Sequence, residues 1–123
     1  MLSERPIQPM LAITDPEAAK RFYGDLLGLR LLEEDPFALT YDGANVPLRL
    51  SKVSALTPQP FTALGWRVPD VRAAARDLAA RGVRFERFEG MDQDELGVWT
   101  PPGGAGGVCW FKDPDGNLLS LSH

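Results

Sequence analysis

The chain carries a weak internal repeat, and no other feature limits its fold as much. A helical pattern opens at Asp15-Pro16 and again at Pro69-Asp70, and a glycine closes each, at Gly28 and Gly82. The two aspartates lie 55 residues apart and the two glycines 54. The later parts echo each other too: Asp42-Gly43 precedes Leu48-Arg49-Leu50, and Asp115-Gly116 precedes Leu119-Ser120-Leu121. Self-similarity of this kind implies one supersecondary unit present twice, each copy too small to bury its sheet alone.

Each copy reads as β-α-β-β-β. In the first, Pro6–Ile13 alternates loosely as a strand, and Asp15-Pro16-Glu17 supplies an N-cap, a proline at the first helical position and an acid in the first turn. Ala18, Ala19, Phe22, Tyr23, Leu26 and Leu27 form the helix's apolar face. Strands are expected around Leu29–Glu33, Phe37–Tyr41 and Val46–Leu50. Residues 52–60 hold two prolines and small polar side chains and read as a linker between module one (6–51) and module two (61–123).

In module two, Phe61–Val68 is an expected strand, and Val71, Ala74, Leu78 and Ala79 form the second helix's apolar face. Strands are expected at Val83–Phe88, Gly107–Phe111 and Leu118–Leu121. Asp113-Pro114-Asp115-Gly116-Asn117 has turn chemistry, with Asp and Pro early and Gly where φ is positive. Residues 89–106 have no counterpart in module one. They read as an extra loop with a short strand at Leu96–Thr100, either a functional lid or an elaborated hairpin.

Composition removes several functions. A net charge of −4 and a pI near 4.9 argue against nucleic acid as a partner, because phosphate binding needs a basic face. No apolar run approaches the roughly 18 residues of a membrane span, and the N-terminus lacks a signal-peptide pattern. One cysteine, Cys109, cannot staple the fold and suits a reducing cytoplasm. With His123 as the only histidine, the inventory for zinc or nucleophilic chemistry is poor.

The paired units, the opening Ile13-Thr14-Asp15…Phe22-Tyr23…Leu26-Leu27-Gly28-Leu29 and the closing Lys112-Asp113-Pro114-Asp115-Gly116-Asn117 resemble the vicinal oxygen chelate superfamily. That group includes glyoxalase I, bleomycin-resistance proteins and extradiol dioxygenases. The resemblance spans nearly the whole chain. It implies an α+β fold in which two βαβββ modules form a curved, cup-shaped mixed β-sheet with helices on its outer face. It also implies a homodimer with cups at the interface. The motifs specify the fold and no particular activity.

Metal-dependent members chelate a divalent ion through four inward positions, where the family pattern has His or Gln, Glu, His and Glu. The resemblance places Gln8, Arg49, Ala63 and Ser120 there. Only Gln8 fits. Ala63 has no donor, Ser120 a weak neutral one, and Arg49 a fixed positive charge. Sliding the alignment by a residue or two brings in no carboxylate, since 6–13, 46–51, 61–68 and 118–123 contain none. No metal ligands and no cofactor are therefore expected.

The remaining candidates concern ligand binding. An inward Arg49 suits a carboxylate, phosphate or enolate-like oxygen, or else pairs with a nearby acid or reaches from a strand edge to water. Trp66, Trp99 and Trp110 fall on expected strands of module two, where tryptophan is either core or pocket wall. Trp99 and Trp66 join Gln8, Arg49, Ala63 and Ser120 as expected ligand-binding residues. Asp92, Asp94 and Glu95 are candidate bases if burial raises one pKa, and otherwise form a solvated loop. Arg72, Arg76 and Arg81 read as a solvated helix face. Three functions remain open: metal-independent binding of a small organic molecule, a cofactor-free enzyme, and an interaction module.

Overall fold

A computed structural model describes all 123 residues, which divide into two compact units, Met1–Thr57 and Pro58–His123. The division falls inside the stretch 52–60 that reads as a linker.

The first unit begins with a short 3₁₀ turn, Leu2–Glu4. It then forms β1 (Met10–Ile13), helix α1 (Pro16–Ala19), β2 (Arg30–Glu34), β3 (Ala38–Asp42) and β4 (Pro47–Lys52). The sheet order is β1-β4-β3-β2, with β1 parallel to β4 and the other pairs antiparallel. Asp15 caps α1, its carboxylate accepting the Ala18 N–H at 3.1 Å, with Pro16 at the first helical position. The expected long α-helix is only one α turn here. From Lys20 to Leu26 the chain is π-helical, and the Leu27 N–H donates to the Phe22 carbonyl five residues back. Gly28, at φ +79, then reverses the chain.

The helix lies on one face of this sheet. Ile13, Leu39, Tyr41 and Leu50 alternate inward beneath Ala19 and Tyr23, all at most 1% exposed, and the Tyr23 and Tyr41 rings pack 6.3 Å apart. At about 25 cal/mol per Å² of apolar surface, burying such side chains contributes roughly 1.5–3 kcal/mol each. The β3–β4 hairpin closes through Ala44 and Asn45, both at positive φ, with the Gly43 N–H donating to the Val46 carbonyl. Two left-handed residues in succession match the twist of paired strands.

The second unit comprises β5 (Thr62–Arg67), α2 (Val71–Ala80), β6 (Val108–Lys112) and β7 (Leu118–Ser122), in the order β5-β7-β6. β5 runs parallel to β7 as β1 does to β4, and β6 is antiparallel to β7 as β3 is to β4. The repeat therefore holds at the level of topology. Its fourth strand is missing: Val83–Phe88 makes a single bridge, Phe85 to Phe111, instead of the expected strand. Leu96–Thr100 is not a strand either, contributing only the bridges of Trp99 to Gln93 and Val108.

Asp70 caps α2, accepting the N–H groups of Arg72 and Ala73 at 3.1 Å each. Val71 and Ala75 are the fully buried positions of this helix, whereas Ala79, expected in its apolar face, is exposed. The true buried pair is spaced i, i+4 from the first residue.

Candidate functional site

Strand register assigns the sequence candidates to faces. In the first unit Leu11, Leu39, Leu48 and Leu50 point toward the helix, so alternation turns Met10, Ala12, Thr40, Arg49 and Ser51 to the opposite face. Arg49 sits directly between Met10 of β1 and Thr40 of β3. Its side chain is half-buried and takes no part in the ion pairs of the molecule. Asp35 is the acid that feels it. The Phe37 and Ala38 amides hold that carboxyl below its usual value, and the Arg49 charge adds to their effect. Gln8 is exposed and lies two residues before β1, outside the strand expected from Pro6. The neighbouring Pro9 carbonyl accepts the Arg49 N–H at 3.0 Å, so the backbone still brings Gln8 close to Arg49 in sequence register.

In the second unit the helix-side face holds Cys109, Phe111, Leu119 and Leu121. Trp66 belongs to this face. It pairs with Leu121 and stacks on Phe111, ring centroids 6.3 Å apart at 23°. Trp66, expected to line a ligand site, is half-buried, with its indole stacked on Phe111 on the helix side of the sheet. Trp110 takes the other face, because it is the direct ladder partner of Ser120, which in turn pairs with Gly65. Ser120 is half-buried, and a Cβ on Gly65 would come 2.5 Å from its Oγ, so a larger residue there would make the hydroxyl rotate away. The Trp110 indole N–H donates to Thr62 Oγ1 at 3.0 Å, and Phe88 meets the ring edge-on at 5.4 Å.

Ala63 falls in a β-bulge between Thr62 and Leu64, where the β5–β7 register slips and no partner faces it. It is exposed. Trp99 is half-buried and tied by two backbone hydrogen bonds to Val108, which makes the 99–108 segment a hairpin.

The residues that the resemblance places at the four chelate positions do not fit a divalent ion. They are an amide, a guanidinium, a methyl group and a hydroxyl, and no group of three or more His, Cys, Asp or Glu side chains converges elsewhere to hold one.

The loop acids behave differently from a base. Burial alone pushes the Asp94 carboxyl up. The Val98 N–H (2.9 Å), the Arg72 Nε (3.0 Å) and the Leu96 N–H (3.0 Å) outweigh this and hold it below its ordinary value. Arg72 is accordingly not part of a purely solvated face. Gln93 fastens the same loop, accepting the Phe88 N–H and donating to the carbonyls of Glu86 and Gly97. Asp92 and Glu95 are exposed. Burial, followed by the field of Asp94, pushes the Cys109 thiol up to about 11, so it carries no thiolate at neutral pH. His123 has a structural part that its terminal position did not advertise: its Nδ1 accepts the Val71 N–H at 2.7 Å at the start of α2.

Comparison with known proteins agrees with this architecture. A profile of the Glyoxalase/Bleomycin resistance protein/Dioxygenase superfamily matches residues 6–121, and the chain belongs to that superfamily. A glyoxalase family protein from Enterococcus faecalis superposes with a TM-score of 0.78 at 18% identity, covering 100% of both chains. A superfamily member from Sphaerobacter thermophilus gives 0.74 at 24% identity, over 99% of this chain and 98% of that one. The lactoylglutathione lyase of Agrobacterium tumefaciens gives 0.72 at 16%, over 97% and 92%. At these identities the likeness establishes the fold. No curated protein matches the chain. No helix is long and apolar enough to cross a membrane.

Proposed function

We propose that the protein binds a small organic molecule, anionic or aromatic, without a metal ion, on the sheet faces turned away from its helices. The observation that carries this reading is Arg49: a half-buried guanidinium, fixed on a central strand and outside every ion pair of the molecule. A half-buried guanidinium that no carboxylate meets at ion-pair distance, with Asp35 acting on it only through space, favours an anionic guest, which a planar fork can take through two hydrogen bonds. On the second unit, Ser120, Thr62 and Trp110 offer hydroxyls and an indole face to the same kind of guest. Gln8 is a secondary member of the proposed surface on the first unit, and Trp99 and Ala63 of that on the second. Sequestration of the kind associated with bleomycin-resistance proteins needs affinity and no catalytic group, which suits this inventory. An enzymatic reading loses Asp94 as its base, since that carboxylate is committed to Arg72 and two amides. We place the protein in the cytoplasm as a homodimer on the resemblance and its lone thiol.

Native mass spectrometry and metal analysis of protein purified from its own host test the reading together. An organic adduct retained by the wild type, lost on Arg49→Ala, and unaccompanied by metal is the expected result. Stoichiometric Fe, Ni or Zn would overturn the metal-free reading, and an adduct held equally by Arg49→Ala would remove the guanidinium from the site.

A further inference from the structure

One cavity lies wholly within the second unit, at the hairpin end of its sheet, and none of the four chelate positions lines it. It is a half-open pocket of about 290 Å³ between Pro58, Pro60, Phe88, Lys112 and Leu118, with Gly116 at one wall. Leu118 and Lys112 are ladder partners, two residues along their strands from the Ser120–Trp110 pair and so roughly 7 Å away on the same face. The cavity is a built feature. The Gln93 side chain fixes Phe88 through its N–H, and Trp110 packs edge-on against the Phe88 ring. At Gly116, φ is +90 and a Cβ would stand 3.0 Å from Pro58 Cγ, so glycine is what keeps that wall in place.

We infer that this cavity is a binding site for a small aromatic carboxylate: an apolar ring held among Phe88, Leu118 and the two prolines, its carboxylate on the Lys112 ammonium. The volume sits at the small end of ligand pockets, which run from roughly 300 to 1,000 Å³, and so suits a single ring rather than a fused system. The lining is apolar except at Lys112 and Gln59. Lys112 is half exposed, and its one ion pair, with Glu86, is long at 3.6 Å. A guest carboxylate at hydrogen-bond distance would approach the ammonium more closely than Glu86 does and compete with it. A neutral ring would gain the apolar contacts alone.

The test is titration of the ¹⁵N-labelled full chain with sodium benzoate and, separately, with benzamide, its neutral near-isostere. Benzoate should shift the Phe88, Lys112 and Gly116 amides saturably and bind at least about tenfold tighter than benzamide. Lys112→Met should abolish that preference, and Glu86→Gln, which removes the competing carboxylate, should tighten benzoate about threefold or more. Equal affinities for the two probes, no saturation below about 10 mM, or weaker binding in Glu86→Gln would each overturn the assignment. So would loss of the benzoate response in Arg49→Ala, which would move the guest to the first unit's sheet. A sound response there leaves this site standing whatever becomes of the Arg49 proposal.

Discussion

Asp113 is a carboxylate only 5% exposed, held by hydrogen bonds from residues within four positions of it. Its Oδ1 accepts the N–H groups of Asp115 (3.0 Å) and Asn117 (2.8 Å), its Oδ2 accepts from the Asn117 side-chain amide (2.9 Å), and its carbonyl accepts the Gly116 N–H. Such local bonding makes Asp-Pro-Asp-Gly-Asn legible from sequence, since these hydrogen bonds join residues of the motif itself. Asp113→Ala would strand buried donors and should lower stability by roughly 2–4 kcal/mol in urea unfolding, with Asp113→Asn losing less because it keeps one acceptor. A loss below about 1 kcal/mol for the alanine variant would show that the turn holds without its carboxylate. Trp66 and Trp110 teach the complementary lesson. Both were visible as strand tryptophans, but the face of each depends on register, and a one-residue difference sends an indole from the hydrophobic layer to the open side. The Thr62–Leu64 bulge is what spoils counting along β5.

Among the elements, the insertion 89–106 departs furthest from its sequence reading. Its periodicity suggests a strand at Leu96–Thr100, yet Gly97 at φ +87 and the Asp94 carboxylate turn the chain there. Asp94 therefore serves as the loop's anchor. Its folded pKa is depressed, so its contribution is present in full above the unfolded value near 3.8 and fades as pH falls through the lower folded one. Asp94→Asn should cost roughly 1–2 kcal/mol near neutrality. The wild-type-minus-variant difference in Tm should shrink below about pH 4, as thermal melts across an acid series would show. A gap that stays constant through that range would mean the carboxylate's charge is irrelevant to the loop. The helices follow their local signals. Asp15 and Asp70 cap them as the sequence indicates, whereas the π-helical run Lys20–Leu26 has no local marker in composition.

At the scale of the molecule, the duplication is carried through in topology, with a parallel first-and-last strand pair in each unit and the helix on one side of the sheet. β2, by contrast, is exposed at all five residues and lies at the edge of its sheet, with Leu31 and Leu32 41% and 47% exposed. Met10 on β1 and Phe61 beside β5 are exposed as well. Apolar side chains along sheet edges suit a chain that associates with a copy of itself. The homodimer proposed from the family resemblance should appear in sedimentation velocity as a single species of twice the 13.5 kDa chain mass at micromolar concentration. A concentration-independent monomer would rule that assembly out.

What the sequence determined by itself is whatever rests on local chemistry: the two caps, the glycine stops, the buried Asp113 turn and the doubled unit. It also determined which side chains stand where the resemblance places the chelating positions, because donor chemistry is a property of residue type. Only the tertiary structure decided which side chains share a face. It paired Trp110 with Ser120, withdrew Trp66 to Phe111, bound Asp94 to Arg72, and gave His123 the start of α2. Those contacts join residues from 10 to more than 50 positions apart, and sequence spacing cannot fix them when a bulge or a missing strand shifts the register.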